Sequence, residues 1–261
     1  MLNMITCSMM LASLFLSSSK TQAGRPDPSE RTFSSDAIDE VISFVKPFLK
    51  DPLIAEIWEN CLPNTLDTTV KYYELGIDSF IITGDIEALW LRDSSNQVMA
   101  YIPYVSKDTN LALLIEGLIK RHASSVLIDP FANAFNYDSS EKSEHSEDIR
   151  QPPMSNAVFE GKYEIDSLAS FLKLSYWYSR YSNSTSVFDA NWLAAVQQAA
   201  KTIQNMQLER FSSEDPLYIF ERYTSMATDT LVQDSFLSLS QRADTHQSFD
   251  PLCLFLRDDI L

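Results

Sequence analysis

ITGDIEALWLRDSSNQV, residues 82–98, breaks an apolar run with Asp85, Glu87, Arg92 and Asp93 and sets Trp90 among them. Charge in apolar surroundings is costly unless it is paired. The stretch is therefore either an ion-paired knot or the wall of a pocket for a polar ligand. Gly84 permits a sharp turn and close backbone approach. Arg92 beside Asp93 offers a forked donor next to an acceptor, and Trp90 supplies a flat apolar face. A sugar ring uses all three: charged groups for its hydroxyls and an aromatic face for its C–H side. Read alone, the stretch fits equally well an Arg–Asp pair capping the next helix, with Asp93 or Ser94 as N-cap.

The bulk composition narrows the choice. The chain has 261 residues, 45% of them hydrophobic, which suits a sizeable core and excludes a disordered chain. Only 5 glycines are present, which favours helices over turn-rich sheet. A net charge of −16 repels phosphate backbones and anionic membranes, so nucleic acid is not an expected partner and an uncharged polar ligand is. Residues 1–23 hold an apolar core from Met4 to Leu16 followed by small polar residues and Ala23, the pattern of a secretory signal peptide, with an amphipathic start to the fold as the alternative because no Lys or Arg precedes the apolar run. That core is too short for a membrane span. With three histidines (His122, His145, His246) and three cysteines, no cluster has zinc spacing. Cys61 and Cys253 are expected to be isolated buried thiols, with a disulfide between them in an oxidising compartment as the alternative, and Asn183 opens the single N-x-S/T triplet.

Residues 24–35, beginning GRPDPSERTF, read as a linker, and residues 36–261 as one domain. Helical spacing predicts a helix over Asp36–Lys50, ended or kinked by Pro47. A second helix starts at Asp51 and Pro52, with Leu53, Ile54, Ile57, Trp58 and Cys61 on one face. SFIIT, residues 79–83, reads as a short strand, followed by a helix over Ser94–Tyr101. Asp108 caps another helix, striped by Leu111, Leu114, Ile115, Leu118 and Ile119. A long irregular region follows over residues 128–159, whose middle, Asp138–Asp148, reads as a solvated loop. Helices over Ile165–Tyr181 and Asp189–Gln207 come next, the second with Trp192, Leu193, Val196, Ala199, Ala200, Ile203 and Met206 inward. LYIFERY, residues 217–223, alternates like a strand. Helices joined by loops that carry the polar motifs point to antiparallel helical pairs.

Two more stretches carry candidate chemistry. FEGKYEIDSL, residues 159–168, sets Glu160, Lys162, Glu164 and Asp166 at alternate positions before an apolar helix. In an extended chain these side chains share one side; in a helix Glu164 and Asp166 diverge. Either acid could serve as a proton donor, and either could merely favour the positive end of the helix. PFANAFN, residues 130–136, places Asn133, Phe135 and Asn136 in the long loop, where amides beside an aromatic ring suit hydroxyl recognition or an ordinary turn.

Taken in order, NCLPNTLDTTV (60–70), ITGDIEALWLRDSSNQV (82–98), PFANAFN (130–136) and RQPPMSNAVFEGKYEIDSL (150–168) resemble glycoside hydrolase family 125. The likeness spans residues 25–229 and is most specific in WLRDS and KYEIDS; EGKY and the N-terminal RPDP…RTF are similar to the family's fungal secretory branch. The resemblance implies an all-α fold, an (α/α)6 barrel of antiparallel helix pairs with a few short strands, and a metal-independent exo-α-1,6-mannosidase in the secretory pathway, secreted or in the Golgi lumen. Its partner would be a mannose-containing oligosaccharide or glycoprotein glycan. It implies inversion, with Asp166 as general acid and a second carboxylate activating water ~6.5–9.5 Å away. Trp90, Arg92, Asp93 and Ser94 would build the subsite for the terminal mannose, with Asp85 close by, Asn133, Phe135 and Asn136 at the substrate end, and Glu164 beside the acid. The family's base is a Glu in its C-terminal third, whereas the ending RADTHQSFDPLCLFLRDDIL departs from the family pattern. The expectation is a barrel truncated at the C-terminus with impaired turnover; the alternative is a mannoside-binding remnant or a non-functional gene fragment.

Overall fold

The computed structural model describes residues 24–140, 143, 145–208 and 217–222. The expected signal peptide at 1–23, Cys7, Cys253, His246 and the divergent ending lie outside the described residues. Within them the chain is mostly helical. Seven α-helices occur: α1 (Asp36–Val45), α2 (Pro52–Cys61), α3 (Asn64–Thr68), α4 (Leu91–Met99), α5 (Thr109–Ile128), α6 (Ile165–Ser182) and α7 (Ala190–Leu208). Seven short strands fall between them: β1 (Val70–Glu74), β2 (Asp78–Ile81), β3 (Leu89–Trp90), β4 (Ala134–Phe135), β5 (Ile149–Gln151), β6 (Val158–Glu160) and β7 (Ile219–Glu221).

The helix starts follow their capping chemistry. Ser35 accepts from the Ile38 amide, Asp51 from that of Leu53 and Asp108 from that of Leu111, each satisfying an amide the first turn leaves unpaired. Pro47 ends α1, the chain tightening into a 3₁₀ turn over Lys46–Phe48. The core lies around α5, whose Leu111, Leu114, Ile115, Leu118 and Ile119 are fully buried as the stripe predicts. α5 packs against β2, α6 and α7, and α4 lies along α6. The α4–α6 contact is close because it is made of small residues. Ser94 and Ser95 of α4 are buried, as are Ser167 and Ser170 of α6, and Ser95 Oγ lies 3.2 Å from the Ser170 carbonyl.

Three expectations are corrected. The apolar stripe of α2 is not core: only Ala55 is buried there, and Leu53, Ile54, Ile57 and Cys61 are exposed. Helical spacing identifies an apolar face but not what covers it. On α7, Leu193 is exposed, while Ala195, Ala199, Thr202 and Ile203 turn inward. Helix α4 begins at Leu91 rather than Ser94, because Trp90 is held extended in β3 and the Leu91 amide is tied to the Asn133 carbonyl at 3.1 Å.

One small sheet decides where the sequence motifs meet. β3, β4 and β6 form an antiparallel three-stranded sheet with Trp90 opposite Ala134 and Ala134 opposite Glu160. Residues opposite one another in a sheet point to the same face. The three motifs that are 44 and 26 positions apart in the chain thus stand in one row. β5 and β7 pair separately and bring residues 217–222 against the long loop.

Candidate active site

Helix α6 begins directly after an extended residue, and that junction builds the site. Glu164 is the N-cap of α6 with φ −134° and ψ 118°, and Asp166 lies in the first helical turn. Two residues in one helix would point apart. Here only one is helical, so both acids reach the same partner. Arg92 Nη1 donates to Glu164 Oε2 at 2.8 Å and to Asp166 Oδ2 at 3.2 Å, and Arg92 Nη2 lies 3.4 Å from Asp93 Oδ2. Lys162 Nζ is 3.6 Å from the other oxygen of Glu164. Arg92 sits in the first turn of α4, so two helix N-termini and three carboxylates meet at one guanidinium. Burial works against the charge on Arg92, but Glu164, Asp166 and Asp93 outweigh it and hold its pKa above the ordinary value. The Asp166 side chain is 55% exposed, the most open of the group.

Beside this cluster lies a second, closed one. Glu160 accepts from Asn133 Nδ2 at 2.6 Å, from Arg222 Nη2 at 2.8 Å and from the Trp90 indole at 3.4 Å. Ala134 stands between Trp90 and Glu160 in the sheet and carries only a methyl group, which leaves room for the indole and the carboxylate to meet over it. Arg222 also grips Asp148 with two parallel bonds of 2.6 and 2.5 Å. Burial alone would raise the pKa of Glu160. The hydrogen bonds from Arg222 and Asn133, with the charges of Arg222 and His145, prevail and lower it. Phe159 places its ring edge-on to Trp90 at 5.3 Å and to His145 at 5.4 Å.

A clamp fixes the backbone between the clusters. The Tyr218 hydroxyl accepts from the Tyr163 amide at 2.8 Å and donates to the Gly161 carbonyl at 2.9 Å. Burial pushes the phenol of Tyr218 up, so it remains a donor at any ordinary pH. Arg150, buried and paired with Asp129, packs over the rings of Phe131 and Tyr218. A Cβ at Gly161 would come within 2.6 Å of Nη1 and 2.8 Å of Cδ of the buried Arg150, so a larger residue there would have to displace that arginine.

The remaining sequence candidates fall elsewhere. Ser94 is buried; its hydroxyl is 2.6 Å from the Trp90 carbonyl and 2.8 Å from His122 Nε2, a tie between α4 and α5. Phe135 belongs to the core, and Asn136 uses its amide on the carbonyls of Asn156 and Val158. Asn133 touches Glu160, and its Oδ1 is buried without a hydrogen-bond partner. Asp85 is exposed beyond the Gly84 turn, where φ is +119°, and accepts from Thr83. Sequence reasoning gave no role to Asp148, Arg222 or His145. Asp148 ends a stretch that reads as a solvated loop, yet its side chain is 2% exposed. The one legible signal was Arg222 itself, a charge closing an apolar strand pattern.

A cleft among the described residues lies apart from this chemistry. It is lined by Asp78, Lys120, Arg121, Asp189 and Trp192 on the far parts of α5 and α7, and Arg121 is already paired with Asp78. The described residues contain no group of three or more His, Cys, Asp or Glu arranged to hold a metal ion. Nor do they contain a helix long and apolar enough to cross a membrane.

Residues 51–245 match the family model for metal-independent alpha-mannosidase (GH125). The chain belongs to the GH125 family. A meiotically up-regulated gene 157 protein of Schizosaccharomyces pombe is 40% identical over 220 residues, covering 79% of this chain and 43% of that protein. A solved GH125 structure from Streptococcus pneumoniae, a metal-independent alpha-mannosidase in a non-productive complex with α-1,6-mannobiose, is 35% identical. It superposes with a TM-score of 0.68 over 78% of this chain and 47% of that one. The chain therefore spans less than half the length of these relatives. Its helices are those of the (α/α)6 glycosidase fold of GH125, as the sequence resemblance implies.

Proposed function

We propose that this chain carries the acid side of an α-mannosidase site acting on terminal, non-reducing α-1,6-linked mannose of glycans in the secretory pathway. The observation that supports it is the convergence of Arg92 with Glu164 and Asp166, residues more than 70 positions apart, at one exposed point beside Trp90. In this reading Asp166 gives its proton to the leaving glycosidic oxygen. Arg92 and Asp93 take sugar hydroxyls, Glu164 holds the guanidinium in place, and Trp90 offers its face to the ring's C–H side. Glu160 holds the indole from behind. Inversion calls for a second carboxylate on the opposite face of the sugar, ~6.5–9.5 Å from the acid, to activate water. The family resemblance assigns that base to a Glu of the C-terminal third, and none of the described carboxylates is given the role.

Binding and turnover are separable tests. Titration calorimetry with α-1,6-mannobiose is expected to show binding that Arg92→Ala abolishes and Asp166→Asn retains. Mannose release, followed by proton NMR to read the anomer first formed, is expected to give the β-anomer and to fall with Asp166→Asn. Binding that survives Arg92→Ala, or release indifferent to Asp166, overturns the assignment.

A further inference from the structure

We propose that Asn183 is an N-glycosylation site, with the exposed aromatic residues of the last turns of α6 as a platform for the first sugar. This inference rests on the secretory location proposed above and is independent of the mannosidase reading.

Asn183 opens the triplet Asn183-Ser184-Thr185, the acceptor pattern for N-linked glycans. Such triplets are frequent by chance, so the structural setting carries the argument. Asn183 is the residue that ends α6, with φ 53° and ψ 33°. It is the only non-glycine residue with positive φ among those described. Asparagine tolerates this left-handed conformation, which swings the chain off the helix axis and out toward solvent. Asn183 and Thr185 are both exposed.

The loop satisfies its polar groups without the Asn183 amide. Ser184 and Ser186 bond to each other, Ser182 accepts from the Ser184 amide, and Ser186 anchors the loop to Glu116 at 2.9 Å. Val187, next along, is fully buried. The loop is thus pinned on its inner side while Asn183 stands outside.

Two further facts fit a glycan here. Tyr181, two residues before Asn183, is exposed, as is Trp177, and their rings lie 6.0 Å apart. Exposed aromatic rings suit the apolar face of an N-acetylhexosamine, as they suit other rings that are apolar on one side and polar on the other. Asn183 also stands at the opposite end of α6 from Asp166, about 25 Å away at ~1.5 Å per residue, so a glycan would not cover the acid cluster.

The chemistry needs a lipid-pyrophosphate-linked oligosaccharide and the transferase of the secretory lumen. Nδ2 of Asn183 attacks the anomeric carbon, the new C–N bond replaces the anomeric C–O bond, the lipid pyrophosphate leaves, and the amide gives one proton to solvent.

The test expresses the full chain in a yeast secretory host, once behind its own first residues and once behind a heterologous secretion leader. The expected result is one mobility increment, removed by peptide-N-glycosidase and absent from Asn183→Gln and Thr185→Ala. The peptide released after deglycosylation should carry Asp in place of Asn183. A leader-directed chain that reaches the medium without the increment overturns the site. Failure of entry with the native start alone overturns the location, while the leader arm still decides the site. Removing the glycan should lower the melting temperature of the wild type and leave that of Tyr181→Ser unchanged; equal losses in both discard the aromatic platform.

Discussion

Two arginines, each gripped by carboxylates, flank the strand that leads into α6, and they live in different solvents. Around Arg222 the side chains are 4% exposed for the arginine, 2% for Asp148 and 8% for Glu160. Around Arg92 the corresponding values are 36% for the arginine, 21% for Glu164 and 55% for Asp166. A buried ion pair that loses one partner leaves an uncompensated charge in a low dielectric, whereas an exposed pair can exchange its partner for water or a ligand at little cost. The ingredients are nearly the same; access to solvent makes one cluster a brace and leaves the other open to a ligand.

The comparison breaks if the two clusters answer mutation alike. Asp166→Asn is expected to cut whatever mannose release the chain shows by about 100- to 10,000-fold, the range for loss of a positioned general acid, with the melting temperature unchanged. Arg222→Met should do the opposite first. It strands Asp148 and Glu160 together and is expected to cost about 3–5 kcal/mol of stability by urea unfolding. Stability lost equally by both variants would mean that Arg92's cluster is a brace as well.

Acid sharpens the contrast. Glu160 has a folded pKa below its ordinary value, so its contribution is complete above about pH 4.5 and is lost as pH falls through the folded value. His122 is buried and its pKa is pushed down from 6.5 to about 3. The unfolded chain therefore takes up a proton below pH 6.5 that the folded chain refuses, and stability declines between pH 6.5 and about 3. Melting curves from pH 7 to pH 3 should show this decline, with Glu160→Gln flattening its most acidic part and His122→Asn the part nearer neutrality.

Smaller still is the link between the clusters. Tyr218→Phe removes one hydroxyl that holds both the Gly161 carbonyl and the Tyr163 amide, a cost of about 1–3 kcal/mol for the buried groups left unpaired. Because those groups lie between Glu160 and Glu164, this variant should also raise the KM for α-1,6-mannobiose, whereas an equal loss of stability from a remote core site should not. The smallest expected effect is none: a chelator should leave mannose release unchanged.

Much of this arrangement is legible in the sequence wherever one local rule acts alone. The capped start of α5, its buried stripe, the end of α1 at Pro47 and the strand near residue 220 all follow from spacing and capping. Glu164 and Asp166 illustrate the limit. Alternation and helical spacing give opposite answers for them, and only the extended backbone at Glu164 reconciles the two. The closed cluster was illegible for a different reason. Asp148 looks like any loop acid until the pairing of β5 with β7 brings Arg222 to it, and no local pattern encodes a partner 74 residues away. Ser94, Phe135 and Asn136 share motifs with site residues, yet neighbours within a motif point in different directions, and these three face inward.

The sheet of β3, β4 and β6 has a consequence for how such a chain tolerates change. Its strands are only two or three residues long. Yet its cross-strand row sets Trp90, Ala134 and Glu160 together, and a shift of one residue would present Leu89 or Phe159 in their place. Insertions between residues 137 and 148 leave that row untouched, because the sheet clasps the segment at both ends. A single deletion inside any of the three short strands would turn the indole and the acid away from each other. Length variation across homologous chains should therefore crowd into the long loop and avoid the seven positions of the clasp.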